Sequence, residues 1–127
     1  MIKDGIQMSL TDVHWCGIDH DQGRCFDITI LNKNSDVAIG PNALYILGRT
    51  LDLNDTVYYR MDIPINTIIE PNMEKEYNDR HLIIPGDSED AQIKTPGCSI
   101  EVILFYNGEI IEEWYQDIAP IGWEDNS

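Results

Sequence analysis

Four residues near the start of the chain have side chains that can bind zinc: His14, Cys16, His20 and Cys25 lie within twelve residues of one another. Thiolates and imidazoles hold Zn²⁺ when four of them converge at about 2 Å. Alternate residues of a strand share a face, so His14 and Cys16 would point the same way. The spacing matches no common structural zinc pattern, however, and we predict no metal site.

The chain has three cysteines, Cys16, Cys25 and Cys98. An odd number argues against a fully paired disulfide framework. Free cysteine behaves as a small buried hydrophobic residue. We therefore predict reduced thiols in the core, with a Cys16–Cys25 disulfide as the alternative.

A second motif, Asp19-x-Asp21-x-Gly23, resembles the opening of a calcium loop, in which carboxylates at alternate positions converge on the ion. It lacks the third acidic residue and the closing bidentate glutamate of an EF-hand. We interpret it as an ordinary polar hairpin loop.

Catalytic motifs are missing from the sequence. There is no G-x-S-x-G nucleophile elbow and no G-x-x-x-x-G-K-[ST] phosphate loop. Glu112 and Glu113 are adjacent, so in a strand they point to opposite faces and cannot flank one glycosidic bond. The sequence predicts a protein that is not an enzyme and that holds no cofactor.

The feature that stands out is the charge of the last quarter of the chain. Residues 95–127 contain no Lys or Arg and seven carboxylates, together with Trp114, Tyr115 and Trp123. Aromatic side chains supply desolvated contacts, and surrounding carboxylates steer association with a basic partner. We predict a partner-binding surface made of Glu109, Glu112, Glu113, Trp114, Asp117, Trp123, Glu124 and Asp125. The alternative is an acidic outer strand that stays soluble and resists edge-to-edge pairing.

The whole chain is acidic as well, with 23 Asp and Glu against 8 Lys and Arg and a formal net charge of -15. Such a charge disfavours direct binding to nucleic acid or to an anionic membrane, because both require a basic patch. No signal peptide or membrane-spanning run is recognisable, so a cytoplasmic location is expected. The length of 127 residues predicts one domain, 1–127.

Five of the seven carboxylates of residues 95–127 lie on the clearest structural motif, a predicted hairpin over Ser99–Asp117. Asn107-Gly108 favours a type I′ turn, which pairs Tyr106 with Glu109 and Phe105 with Ile110. Continued without interruption, this register pairs Leu104 with Ile111, Val102 with Glu113 and Ile100 with Tyr115. The first strand is apolar on both faces apart from Glu101, which predicts a central strand with an exposed neighbour.

Further strands are predicted by alternating apolar residues at 6–15, 25–31, 43–51 and 56–63, with shorter ones at 65–69 and 80–84. We expect the first two to form a hairpin, and Pro64 and Pro71 to confine 65–69 to an edge or a change of sheet. Residues 72–79 are helix-compatible but lack an apolar stripe. The predicted buried residues are Ile28, Ile30, Tyr59, Met61, Val102, Leu104 and Phe105.

Seven to eight short strands separated by Gly, Pro, Asn and Asp are typical of an all-β antiparallel sandwich, and we favour an immunoglobulin-like one. The functional hypothesis is a small acidic cytosolic binding protein that neutralises or inhibits a basic protein, such as one that binds nucleic acid, as an immunity protein or phage-type inhibitor would. The alternative is a structural or adhesive β-sandwich module of a larger assembly. The sequence does not indicate the oligomeric state.

Overall fold

The computed structural model describes residues 2–18, 21–85 and 96–120, with the side chains of 12, 15–18 and 21–23 outside that description. A 3₁₀ turn, Ile2–Gly5, is followed by seven strands. They are β1 (Ile6–Ile18), β2 (Asp21–Asn32), β3 (Leu44–Leu51), β4 (Val57–Ile65), β5 (Glu74–Ile83), β6 (Cys98–Tyr106) and β7 (Glu109–Ile118).

These strands form two antiparallel sheets, one ordered β1-β2-β5 and the other β4-β3-β6-β7. The all-β antiparallel prediction is confirmed, as are the β1–β2 hairpin and the central place of β6. β3 and β4 also pair as antiparallel neighbours. No helix in the described ranges is long and apolar enough to cross a membrane.

The two sheets pack face to face around one apolar core. Ile28 and Leu82 of the first sheet and Ile46 and Leu104 of the second are completely buried. Gly48 lets the Met61 and Leu82 side chains pack closely against the backbone of β3, since a Cβ at this position would lie 2.8 Å from the Met61 Cε atom and 3.5 Å from the Leu82 side chain. The sandwich is therefore held by apolar burial between its inner faces.

The predicted core is correct at four positions: Ile28, Ile30, Val102 and Leu104 are buried. Tyr59 and Met61 are partly buried and pack against the core from the edge strand β4. Phe105 is half-buried but lies on the opposite face of β6, where its ring is 6.1 Å from that of Tyr45.

The β6–β7 hairpin has the predicted turn but only part of the predicted register. Asn107 and Gly108 have φ of 49° and 85°, and the pairs Tyr106–Glu109 and Phe105–Ile110 form as expected. The register then shifts between Leu104 and Phe105, so that Leu104 pairs with Glu112.

This shift is a β-bulge that leaves Ile111 as the extra residue of β7. Beyond it, Val102 pairs with Trp114, Ile103 with Glu113 and Glu101 with Tyr115. The predicted pairs Leu104–Ile111, Val102–Glu113 and Ile100–Tyr115 are therefore wrong by one residue. Because side chains alternate along a strand, one extra residue exchanges the two faces of β7 beyond the bulge.

Two other predictions are corrected. Residues 65–69 do not form a separate strand, because β4 runs to Ile65 and only an isolated bridge joins Ile39 to Ile69. The predicted strand at 80–84 begins earlier, at Glu74, because this segment pairs with β2 from Leu31 to Gly23. Pro64 lies in the edge strand β4, where a missing backbone donor is tolerated.

Candidate protein-binding surface

The side of the four-stranded sheet that faces away from the core is called the outer face. Burial along β3 identifies this face: Leu44, Ile46, Gly48 and Thr50 are buried against the core, and the residues between them are half-exposed on the other side. The β-pairing then aligns the other strands in register with these positions. The residues of the outer face include Tyr45, Leu47, Arg49, Arg60, Asp62, Ser99, Glu101, Ile103, Phe105, Glu113, Tyr115 and Asp117.

The bulge brings three residues of β7 together on this outer face. Glu113, Tyr115 and Asp117 are all exposed, and Tyr115 retains 56% of its accessible surface. Tyr115 lies between the two carboxylates along the strand, because residues two apart share a face. Two predicted binding residues thus flank an exposed aromatic ring.

Hydrogen bonds within β7 and to β6 orient these side chains. The Tyr115 hydroxyl donates to Glu113 Oε2 at 2.7 Å, and the Ser99 hydroxyl donates to Asp117 Oδ1 at 2.9 Å. The carboxylate of Glu113 raises the pKa of Tyr115, because loss of the phenolic proton would remove this bond and place two negative charges together. Tyr115 therefore stays neutral at physiological pH.

The cations of the outer face are already paired. Arg49 Nε donates to Glu101, which is only 6% exposed, and Arg60 binds Asp62 at 3.0 Å. Tyr45 also donates to Asp62, and this bond together with Arg60 lowers the pKa of the Asp62 carboxyl. Among the described residues of this face, Glu113 and Asp117 remain as carboxylates without an ion pair.

The other acidic residues predicted for the surface lie elsewhere. Glu109 forms an ion pair with Lys3 at 2.8 Å, and this hydrogen bond raises the pKa of Lys3. Glu112 is half-buried and faces the opposite way from Glu113. Lys3 and Arg49 are far from residues 95–127 in sequence, but folding brings them to Glu109 and Glu101. The negative charge of the last quarter of the chain is therefore partly neutralised in the folded protein.

Trp114 points inward, on the side of β7 opposite Tyr115. It is half-buried against the core, and its ring centroid lies 6.5 Å from that of Phe26 on the other sheet. Contacts between aromatic rings at this spacing stabilise the packing of the two sheets. The remaining predicted residues, Trp123, Glu124 and Asp125, lie outside the described residues.

Sequence reasoning did not assign Tyr115, Arg49 or the Tyr45–Asp62–Arg60 group to the surface. Tyr115 would follow from the spacing Glu113-x-Tyr115-x-Asp117 once the strand is known to be exposed on this side. The Arg49–Glu101 pair joins β3 to β6, and no local pattern in the sequence indicates it. Arg60 and Asp62 are two residues apart in β4 and so share a face.

The N-terminal hairpin corrects the prediction of reduced thiols. Cys25 is disulfide-bonded, whereas Cys98 is a buried thiol. His14 is exposed and pairs with Cys25 across β1 and β2. Asp19, His20 and the side chains of Cys16 and Asp21 lie outside the described part. Within that part, no group of three or more His, Cys, Asp or Glu residues is arranged to hold a metal ion.

The disulfide predicts a difference in reactivity between two cysteines. In protein purified without reductant and unfolded in denaturant, iodoacetamide should modify Cys98 before reduction and Cys25 only after reduction, because a disulfide sulfur has no thiolate to alkylate. Peptide mass spectrometry measures both sites, and a Cys25→Ser variant is the control. Alkylation of Cys25 without reductant would contradict the disulfide.

No protein-family model and no curated protein matches the sequence. Among solved structures, the chain is similar to the X-ray structure of Northeast Structural Genomics Consortium target SoR45, with 15% identity and a TM-score of 0.54 over 98% of this chain and 94% of that one. The similarity shows a shared fold.

A second solved structure is an endonuclease/exonuclease/phosphatase from Beutenbergia cavernae DSM 12333, matched with 7% identity and a TM-score of 0.39. The alignment covers 86% of this chain and 27% of that one. This likeness is too weak to indicate a shared fold.

Proposed function

We propose that this protein is a small acidic binding protein that neutralises a basic protein partner, as an immunity protein or phage-type inhibitor would. The observation that carries the proposal is the exposed group Glu113, Tyr115 and Asp117 on a face whose described arginines are already ion-paired. The proposed role is binding rather than catalysis, and direct contact with nucleic acid or membrane is not part of it.

Charge supports a basic partner. The net charge of -15 attracts cationic proteins over a Debye length and repels nucleic acids and anionic lipids. Glu113 and Asp117 add a local negative field, and Tyr115 offers a ring whose face attracts Lys or Arg. Carboxylates spaced along a strand can take the place of phosphates for a protein that normally binds nucleic acid.

The proposal includes an immunoglobulin-like form of the sandwich. Lettered A to G in chain order, the first sheet is A-B-E, and C, F and G lie together in the second. Both groupings occur in immunoglobulin sandwiches. The fourth strand pairs with the third, as strand C′ does in variable-type domains, which leaves three strands in one sheet and four in the other.

The test is a charge reversal with a matched control. The variant Glu113→Lys/Asp117→Lys should lower the association rate with the partner about tenfold at low salt and flatten its salt dependence, because exposed charges act mainly on encounter. Partners are first captured from host lysate at low salt, eluted with rising salt, identified, purified and measured by surface plasmon resonance.

The control is Glu74→Lys/Glu76→Lys, which changes the net charge equally at exposed positions of β5 on the other sheet. A local surface predicts a much smaller effect for this control. An equal fall in the association rate for both variants would mean that net charge alone drives the interaction. No fall in either variant would refute the proposed binding surface.

A second candidate function is a structural or adhesive module of a larger assembly. The disulfide at Cys25 favours it, because structural disulfides persist in oxidising compartments, whereas the inhibitor proposal expects the cytoplasm. The redox state of Cys25 in host cells quenched with acid distinguishes the two functions. A disulfide at Cys25 in the native protein supports the structural or adhesive module, and a reduced Cys25 supports the cytoplasmic inhibitor.

A further inference from the structure

The two sheets have four edge strands, β1, β4, β5 and β7, and three of these carry features that hinder the addition of a further strand. The register of β1 is interrupted between Thr11 and His14. β4 contains Pro64, and β5 contains Lys75. Register irregularities, prolines and charged side chains, lysine above all, are the usual means by which edges avoid pairing.

β7 differs from these edges beyond its bulge. From Glu112 to Ile118 it pairs with β6 without a register shift, and this segment contains no Pro, Lys or Arg. In the described part of the chain β7 is hydrogen-bonded to β6 alone. One row of its backbone N–H and C=O groups is therefore available to another strand.

The side chains along this edge differ on its two faces. Glu113, Tyr115 and Asp117 lie on the outer face, and Glu112, Trp114 and Gln116 are half-buried on the inner face. An added strand would place every second side chain beside the carboxylates and the tyrosine ring. Lys or Arg side chains at these alternate positions would contact, in order, the Glu113 carboxylate, the Tyr115 ring and the Asp117 carboxylate.

A second copy of the chain does not fit the same edge. Antiparallel pairing of two β7 strands about Tyr115 would place Glu113 of each copy opposite Asp117 of the other. Like charges directly opposite in a sheet are destabilising. The carboxylates that oppose self-pairing are the same ones that favour a basic strand.

We propose that the free edge of β7, from Glu112 to Ile118, binds an extended segment of the basic partner as an additional strand, with Lys or Arg at alternate positions facing Glu113, Tyr115 and Asp117. Backbone hydrogen bonds to β7 supply part of the affinity, and the alternating cations set the register. This inference rests on the proposed function and specifies the form in which the partner binds.

The probe is a pair of fluorescent peptides with equal composition. One alternates Lys and Thr over eight residues, and the other has four Lys followed by four Thr. Thr favours strands without adding large apolar surface. Fluorescence anisotropy with the full chain at low salt should show about tenfold tighter binding of the alternating peptide, the equivalent of one or two net hydrogen bonds.

N-methylation of the peptide tests the backbone contribution. Two versions of the alternating peptide are methylated, one at every Lys and the other at every Thr, so that each blocks one edge of the peptide strand. One version should lose binding and the other should keep it, because only one edge faces β7. Hydrogen exchange should show protection of β7 amides by the unmethylated peptide.

Several outcomes would overturn the inference. They are equal binding of the two isomers, equal binding of both methylated versions, failure of the alternating peptide to bind, and loss of binding in Glu74→Lys/Glu76→Lys but not in Glu113→Lys/Asp117→Lys. Dimerisation through β7 at high salt would identify a second copy as the occupant instead. Equal binding of the isomers with loss in Glu113→Lys/Asp117→Lys would refute strand addition while leaving the proposed function intact.

Discussion

Trp114→Ala is expected to lower the free energy of unfolding by about 3 kcal/mol, at the lower end of the range for buried aromatic residues because Trp114 is half-buried. The variant removes the ring contact with Phe26 and leaves a cavity between the two sheets. Urea denaturation followed by circular dichroism measures the loss. Trp114→Phe keeps an aromatic ring at this position and should recover much of the stability.

The neighbouring residue should behave in the opposite way. Tyr115→Ala removes an exposed side chain, so its effect on stability should stay within about 0.5 kcal/mol. Binding of the partner should weaken about tenfold or more, because an exposed aromatic side chain between carboxylates is the natural anchor of the surface. The pair of variants separates the packing side of β7 from its binding side.

The sequence-based prediction gave the anchoring role to Trp114 or Trp123, and Trp123 lies outside the described residues. It would be supported if Trp114→Ala increased the dissociation rate of the partner while the folded fraction, measured in parallel, stayed unchanged. Faster dissociation from Tyr115→Ala without loss of stability supports the outer face instead.

Asn32→Asp is the second change with a large expected effect. Asn32 is fully buried at the end of β2, and its Nδ2 donates to the carbonyl oxygens of Val37, Ile69 and Glu70 at 2.8, 3.0 and 3.3 Å. Its Oδ1 accepts from the backbone N–H of Asn34 at 3.0 Å. One side chain therefore joins the segment after β2 to the segment after β4.

An aspartate at this position would direct its second oxygen at three carbonyl oxygens and would bury a negative charge, with donors from Asn34 to its first oxygen alone. The free energy of unfolding should fall by about 3 kcal/mol, since lost hydrogen bonds and an unsatisfied buried acceptor add together. Urea denaturation at neutral pH measures this change. Asn66→Asp makes the same chemical change at an exposed position and should alter stability little.

A fall below about 1 kcal/mol for Asn32→Asp would mean that the carbonyl contacts are not maintained in solution, because a single buried hydrogen bond already contributes about this much. Asn32→Ala then distinguishes the lost donor from the added charge. It should be less harmful than Asn32→Asp, since it leaves unpaired carbonyls but buries no charge.

Local chemistry accounts for the parts of the fold that were predicted. The alternation of apolar residues in β3 and β4 and the left-handed tolerance of Asn107 and Gly108 act within a few residues. The apolar character of both faces of β6 likewise requires a central position in a sheet. The sequence alone therefore determined the strand-rich class, the main hairpins and the position of the acidic strand.

Other features depend on residues that are distant in sequence. β5 is exposed along much of its length and lacks a clear apolar alternation, so it becomes a strand only by pairing with β2. The side chain of Asn32 forms its bonds with carbonyls that approach it only in the folded chain. The Cys25 disulfide likewise depends on two sulfur atoms meeting after the chain has folded.

The bulge at Ile111 determines which side chains of β7 form the proposed binding surface. The sequence placed Glu113, Trp114, Tyr115 and Asp117 on one exposed strand, but a period of two is equally satisfied in either register. Only the tertiary structure selects the register in which Trp114 packs near Phe26 and Glu113, Tyr115 and Asp117 face solvent. Burial of the large indole ring between the sheets stabilises this choice, because apolar surface removed from water outweighs the local cost of one interrupted pair.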